Sequence, residues 1–332
     1  MNKVLIVFTG GTIGMTIDED LGAAVPGLDG NAILSMIKGL DQYGEIEIID
    51  FGQFPGPQMN PERILKLAKL LKESLERDDI QGAIITHGTD TLEETAYFLD
   101  LYLTTDKPVV VVGAMRNASE LGFDGPPNLA AAIVAVKSPA AFGRGVLVVL
   151  NNQVNSAREV TKTHTMTLDT FKSIEFGPLG IVDNNEVLFS RSAMPHGHLE
   201  PEAIEPAVHL LKSYVGMDRF LIDQLVAHGA KGIVIEAMGR GNLPPELTDA
   251  ITDAIAQGVA IVIVSRCPAG RVLGSYGYDG GGQQLREAGA MFGTPMNGQK
   301  TRIKLMLALK VARNNEQLRQ IMENEYFDAS TE

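Results

Sequence analysis

Apolar residues recur along the chain in two spacings. Val4 to Phe8, Gly82 to Thr86, Pro108 to Ala114 and Gly145 to Leu150 are near-continuous apolar runs, the pattern of strands buried on both faces of a parallel sheet. Glu45 to Phe51 alternates as a strand does. Between these runs the spacing changes to that of helices. Ile64, Leu67, Ala68, Leu71 and Leu75 form one stripe behind Pro61, a residue suited to a first helical position. Asn31 to Leu40, Leu92 to Leu99 and the alanine-rich stretch from Asn128 to Lys137 read as further helices.

The alternation predicts an α/β sheet with right-handed crossovers. A second α/β pattern follows, with strands at 231–238 and 259–265, a helix at 246–257 and a final helix near 299–313. Residues 183–207 lose periodicity and hold Pro195, Pro201 and Pro206. The expected organisation is therefore a larger N-terminal parallel-sheet domain at 1–187, a linker at 188–208 and a smaller C-terminal α/β domain at 209–332. Residues 15–30 read as a loop of lid length. The segment 151–181 is less regular and carries Arg158, Lys162, His164 and Asp169.

Composition narrows the functional classes. The chain has 332 residues, 45% of them hydrophobic, enough for a sizeable core. A net charge of −13 and the lack of a long basic run argue against a nucleic-acid partner. No apolar run approaches the length of a membrane span, so no membrane partner is expected and a cytoplasmic location is. One cysteine, Cys267, gives neither a disulfide framework nor a cysteine metal site, and reads as a small buried residue after a strand.

Two turns interrupt this regular background. The first strand runs straight into Thr9-Gly10-Gly11-Thr12-Ile13-Gly14, where adjacent glycines let the backbone approach a ligand. The spacing fits neither a dinucleotide fingerprint nor a phosphate loop, and the turn exposes Thr12. The second turn, Thr86-His87-Gly88-Thr89-Asp90-Thr91, gathers hydroxyls around one carboxylate and leads directly into a helix. With Glu93 and Glu94 it is also the composition of a plain N-cap and first turn. His87 reads as a packed structural residue.

A threonine hydroxyl is a poor nucleophile unless a base takes its proton. Asp90 can hold a lysine, and Lys162, in an irregular segment rather than on a polar helix face, is the candidate. Backbone N–H groups at the glycine turns can stabilise an oxyanion. The combination points to acyl transfer with neither metal nor cofactor.

Several stretches together resemble the bacterial L-asparaginase family: TGGTIG at 9–14, ITHGTDTLEETAYFLD at 85–100, KPVVVVGAM at 107–115 and REVTK at 158–162. SIEFGPLG at 173–180 and MGRGNLP at 238–244 extend the resemblance over nearly the whole chain. It implies two α/β domains and a homotetramer built as a dimer of dimers, at least a homodimer. It implies hydrolysis of L-asparagine to L-aspartate and ammonia through an acyl-enzyme. Thr12 would be the nucleophile, and Thr89, Asp90 and Lys162 the second catalytic group. Asp90 would also bind the substrate's α-amino group, while Gly11, Gly88 and Thr89 would line the substrate and oxyanion site. Asn242 matches an asparagine that reaches a neighbouring subunit's site.

The chain departs from the family pattern at three places. The stretch from Met15 to Asn31 lacks the lid tyrosine, with Ala23 nearest its place, and Tyr276 stands where some members supply a tyrosine from the adjacent subunit. Gly56-Pro57 replaces a serine and a polar residue, leaving Gln58 to bind the substrate carboxylate. An acidic residue expected around Tyr276 has no clear match. Alternatives are therefore D-asparagine or L-glutamine as the amide, or a non-catalytic amino-acid sensor on the same scaffold. A subunit that feeds ammonia to tRNA-dependent amidation would call for an extra N-terminal domain and a protein partner.

Overall fold

The computed structural model describes residues 3–324 and 326–327. The chain divides into two compact units, Met1–Met194 and Pro195–Glu332. In the first unit the elements begin with β1 (Lys3–Phe8), the hairpin β2 (Met15–Asp18) and β3 (Ala23–Pro26), helix α1 (Gly30–Ser35), β4 (Ile46–Asp50) and α2 (Pro61–Leu75). They continue with β5 (Ile80–Thr86), α3 (Leu92–Tyr102), β6 (Val109–Val112), α4 (Gly125–Lys137) and β7 (Val146–Leu150). Five short strands follow: β8 (Gln153–Ser156), β9 (Val160–Lys162), β10 (Phe171–Ser173), β11 (Gly180–Asp183) and β12 (Glu186–Phe189).

Eight of these strands form one sheet in the order β12-β11-β8-β7-β6-β5-β1-β4. From β4 to β7 all neighbours are parallel, while β8, β11 and β12 join antiparallel. Val4, Ile6 and Phe8 of β1 pack with Ile84, Val110 and Leu147 beneath α1 and α4. Leu5 and Val7 are equally buried on the opposite side of the strand. Each such side chain, fully withdrawn from water, contributes about 1.5–3 kcal/mol. This two-sided burial is why the apolar runs do not alternate.

The order of crossovers positions the site. From β1 the chain passes to β4 on one side, then returns past β1 to β5 and continues outward to β6 and β7. The connections from β1 and β5 therefore lead to opposite sides of the sheet, and an open α/β sheet binds ligands at the carboxyl ends of the strands where this happens.

Three local readings change. Residues 15–26 are a hairpin, Met15 pairing with Pro26 and Asp18 with Ala23, rather than an unstructured loop. The irregular segment after β7 is built of antiparallel hairpins. Asn151 and Asn152, both at positive φ, join β7 to β8, and Asn184 and Asn185 join β11 to β12 in the same way. Two residues at positive φ are what a tight hairpin turn of the right twist requires. Finally, Cys267 is exposed rather than buried.

The second unit holds β13 (Val208–Lys212), α5 (Phe220–Ala227), β14 (Gly232–Ala237), α6 (Glu246–Ala256) and β15 (Ala260–Ser265). After these come α7 (Gly282–Glu287), β16 (Met291–Phe292), α8 (Gly298–Val311) and α9 (Asn315–Glu323). Its four strands are parallel and in chain order. Ile233, Ile235, Ile261 and Ile263 pack with Leu247 and Ile251 of α6. No helix among the described residues is long and apolar enough to cross a membrane.

Candidate active site

Thr9 and Thr86 fasten the ends of the two neighbouring strands before the chain turns. The Thr9 hydroxyl donates to the Thr86 carbonyl at 2.6 Å, and the Thr9 N–H donates to the Thr86 hydroxyl at 3.3 Å. Both side chains are wholly buried. Gly10 and Gly11 then run at φ +103° and +90°, out of reach of ordinary side chains. Thr12 opens a 3-10 turn, closed by the Gly14 N–H on Gly11 O at 3.0 Å. The carbonyl of Gly14 in turn accepts from the N–H groups of Gly27 and Leu28, which ties the base of the β2–β3 hairpin to this turn.

Three turns meet backbone to backbone. A Cβ on Gly11 would lie 2.4 Å from the Gly88 nitrogen, and a Cβ on Gly88 would lie 2.6 Å from the nitrogen of Gly56. Gly56 belongs to the loop after β4, whose Phe54 N–H donates to Thr9 O at 2.8 Å. Gly56 also begins the 3-10 turn that holds Gln58. The loops after β1, β5 and β4 thus assemble at one edge of three adjacent parallel strands.

The hydroxyl-rich turn is not a plain helix cap. Thr91 occupies the N-cap position of α3 but makes no capping bond with its side chain. Its hydroxyl instead donates to the Gly56 carbonyl at 2.7 Å. Thr89 and Asp90 meet Lys162, which arrives on β9 and not from an irregular segment. The Lys162 ammonium stands 2.9 Å from Thr89 Oγ1 and 2.8 Å from Asp90 Oδ1. Its side chain is 16% exposed and that of Asp90 67%. Behind it, the Lys162 N–H donates to Glu93 Oε2 at 3.2 Å, so a buried carboxylate of the first turn of α3 sets where β9 docks.

His87 is fully buried, with Nε2 2.8 Å from Thr95 Oγ1 and Nδ1 2.8 Å from the Gly88 carbonyl. Burial pulls its pKa down to about 4, and the bond to Gly88 only partly opposes this. Among the described residues the Thr12 hydroxyl makes no hydrogen bond, and Asp90 Oδ2 has no partner.

The structure thus sets Gly11 against Gly88 and joins Lys162 to Thr89 and Asp90, with Thr12 directly after Gly11 and Gln58 on the turn that adjoins Gly88. Tyr276 and Asn242 belong to the second unit. The Asn242 side-chain oxygen accepts from the Gly282 N–H at 3.2 Å. Tyr276 is 44% exposed, and its ring lies 5.6 Å from that of Tyr278. Glu93, Thr95 and Thr91 escape a reading by residue type, since acids and threonines in a first helical turn are ordinary. The return of hydroxyls at 89, 91 and 95 was the signal available. Among the described residues no group of three or more His, Cys, Asp or Glu is placed to hold a metal ion.

Comparison with known proteins identifies the family of both units. The family model described as "Asparaginase, N-terminal" matches residues 3–195, and the "Glutaminase/Asparaginase C-terminal domain" matches 207–322. The chain is 34% identical to an L-asparaginase of Bacillus licheniformis over 92% of its own length and 95% of that protein. It is 37% identical to L-asparaginase 2 of Bacillus subtilis, covering 98% of this chain and 86% of that protein. A crystal structure of a probable cytoplasmic L-asparaginase from Campylobacter jejuni superimposes with a TM-score of 0.87 at 31% identity, covering 97% of this chain and 99% of that one. The chain belongs to the asparaginase family of amidohydrolases.

Proposed function

We propose that the chain hydrolyses the side-chain amide of L-asparagine to L-aspartate and ammonia through an acyl-enzyme on Thr12. The observation that carries this reading is the Lys162–Thr89–Asp90 cluster on the turn that touches Gly11, one residue from Thr12. A pure binder has no need of two hydroxyls and a lysine. The relatives named L-asparaginase support the choice of amide.

In the first half-reaction Thr12 Oγ bonds to the amide carbon, and the carbonyl oxygen becomes an oxyanion. The N–H groups of Thr12 and Thr89 accommodate that charge. The C–N bond then breaks, and the proton lost by Thr12 leaves with the nitrogen as ammonia. Thr89, whose hydroxyl oxygen accepts from Lys162, has its own proton free to point at the departing nitrogen. Water then attacks the ester, releasing the carboxyl group of aspartate and restoring the Thr12 hydroxyl. Asp90, largely exposed, binds the α-ammonium group of the substrate, and Gln58 its α-carboxylate.

The base for Thr12 comes from outside this cluster. The β2–β3 hairpin carries no tyrosine, so Tyr276 of an adjacent subunit takes that part, with Asn242 beside it, in a homotetramer built as a dimer of dimers. A cytoplasmic location completes the proposal, in line with the Campylobacter jejuni protein. A relative from Haemophilus influenzae, 34% identical, is described as periplasmic, and cell fractionation decides between them.

Ammonia release from L-asparagine, D-asparagine and L-glutamine tests the reading. The expectation is turnover of L-asparagine that is lost in Thr12→Ala and Thr89→Val and strongly weakened in Tyr276→Phe. Wild-type turnover in both threonine variants would sink the acyl-enzyme, and an active monomer in sedimentation would sink the role in trans of Tyr276. The missing hairpin tyrosine and Gly56-Pro57 favour one second reading, an amino-acid sensor. Saturable binding without ammonia would establish it.

A further inference from the structure

The Gly88 carbonyl is gripped from behind by His87. A carbonyl oxygen only accepts, so the ring nitrogen 2.8 Å from it, Nδ1, carries the proton. Nε2 is then bare and accepts from the Thr95 hydroxyl, also at 2.8 Å. Both residues are 0% exposed, so no solvent competes for either bond. The low pKa of the buried ring keeps this neutral form at neutral pH. His87 is itself anchored, its N–H donating to Val112 O at 2.8 Å on the neighbouring strand.

The peptide that joins Gly88 to Thr89 is trans, as are all peptides among the described residues. In a planar trans peptide the C=O and the N–H point in opposite directions. Whatever holds the Gly88 oxygen therefore aims the Thr89 nitrogen. That N–H donates to no acceptor among the described residues, although Thr89 is only 6% exposed. Buried backbone N–H groups are otherwise nearly always paired.

We infer that His87, braced by Thr95, is a positioning residue for the reaction. By holding the Gly88 carbonyl it fixes the peptide plane that points the Thr89 N–H at the oxygen of the attacked amide. This rests on the acyl-transfer reading above. A leucine or phenylalanine would fill the same space without polar atoms to satisfy; what the imidazole adds is the N–H on Gly88. Thr95 acts one step further back. Its hydroxyl occupies the Nε2 lone pair, and this selects the tautomer that leaves the proton on Nδ1.

Steady-state kinetics of Thr95→Val, Thr95→Ser and His87→Leu test the inference, with thermal melts as a check on folding. Thr95→Val keeps the shape of the side chain and releases the ring to the other tautomer, so it decides the matter even where His87→Leu does not fold. Removing a whole oxyanion donor costs about 10²–10³ in kcat, and misaiming one costs a fraction of that. The expected result is a fall in kcat of about tenfold in Thr95→Val and about 30-fold or more in His87→Leu. KM for L-asparagine stays within about twofold, and Thr95→Ser regains most of the loss. Unchanged kcat in both folded variants overturns the inference, as does a loss carried equally by KM. If the wild type releases no ammonia from any amide, the acyl-transfer reading fails and takes this inference with it. Turnover indifferent to residues 87 and 95 refutes the positioning role alone.

Discussion

Lys162 Nζ lies 2.9 Å from Thr89 Oγ1, joining side chains 73 positions apart. The ammonium has protons only to give, so the Thr89 oxygen accepts and its own proton is left for another acceptor. Lys162→Met, which keeps the aliphatic stem, is expected to lower ammonia release by about 10²–10⁴. Because Asp90 is largely exposed, the lost ion pair costs at most about 1 kcal/mol of stability. A Lys162→Met protein with unchanged kcat would remove the lysine from the chemistry.

Gly88→Ala tests the contact of the turns. The added Cβ would stand 2.6 Å from backbone nitrogen of Gly56, which no rotamer change relieves. A loss of about 2–4 kcal/mol is expected, read in urea unfolding, together with a large fall in kcat. Equal stability of variant and wild type would mean that the loops after β4 and β5 do not press on each other.

The buried imidazole makes stability depend on pH. Its folded pKa, about 4, is below the ordinary value of 6.5. Between those values the unfolded chain binds the extra proton and the folded chain does not, so stability rises with pH there. The contribution is fully present above pH 6.5 and is lost as pH falls toward 4, amounting to about 3 kcal/mol for a shift of this size. Urea unfolding of wild type and His87→Gln at pH 7.5 and pH 5 checks this. The advantage of the wild type should shrink at the lower pH, and a constant difference would contradict a neutral buried ring.

Cys267 is the chain's one cysteine and lies at the surface. A thiol-specific disulfide reagent should therefore titrate one thiol per native chain without denaturant. A thiol that reacts only after unfolding would return the residue to the interior.

How far the sequence was legible follows from what each element exposes. The parallel strands were plain because β1, β5, β6 and β7 are buried on both faces, and the glycine turns because their strands end abruptly. The β2–β3 hairpin was hidden because its residues are mostly half-buried or exposed, as in Ala23–Pro26, so no alternation marks it. The antiparallel edge left a signal that was there to be read. Asn-Asn at 151–152 and at 184–185 stands between short apolar stretches, and paired asparagines tolerate positive φ. At the site, Thr12, Thr89, Asp90 and Lys162 were accessible by residue type. The uses of Thr91, Glu93 and Thr95 were not, because they depend on partners that the fold alone brings close: Gly56, Lys162 and His87.

The meeting of Gly11, Gly88 and Gly56 also bears on how such a protein can change over generations. Any side chain on Gly11 or Gly88 collides with main chain, so drift there is closed off. Pro57, one residue beyond the contact, is exposed and open to exchange. Selection for a different amide can therefore act on the rim of the turn while the backbone behind it stays as it is.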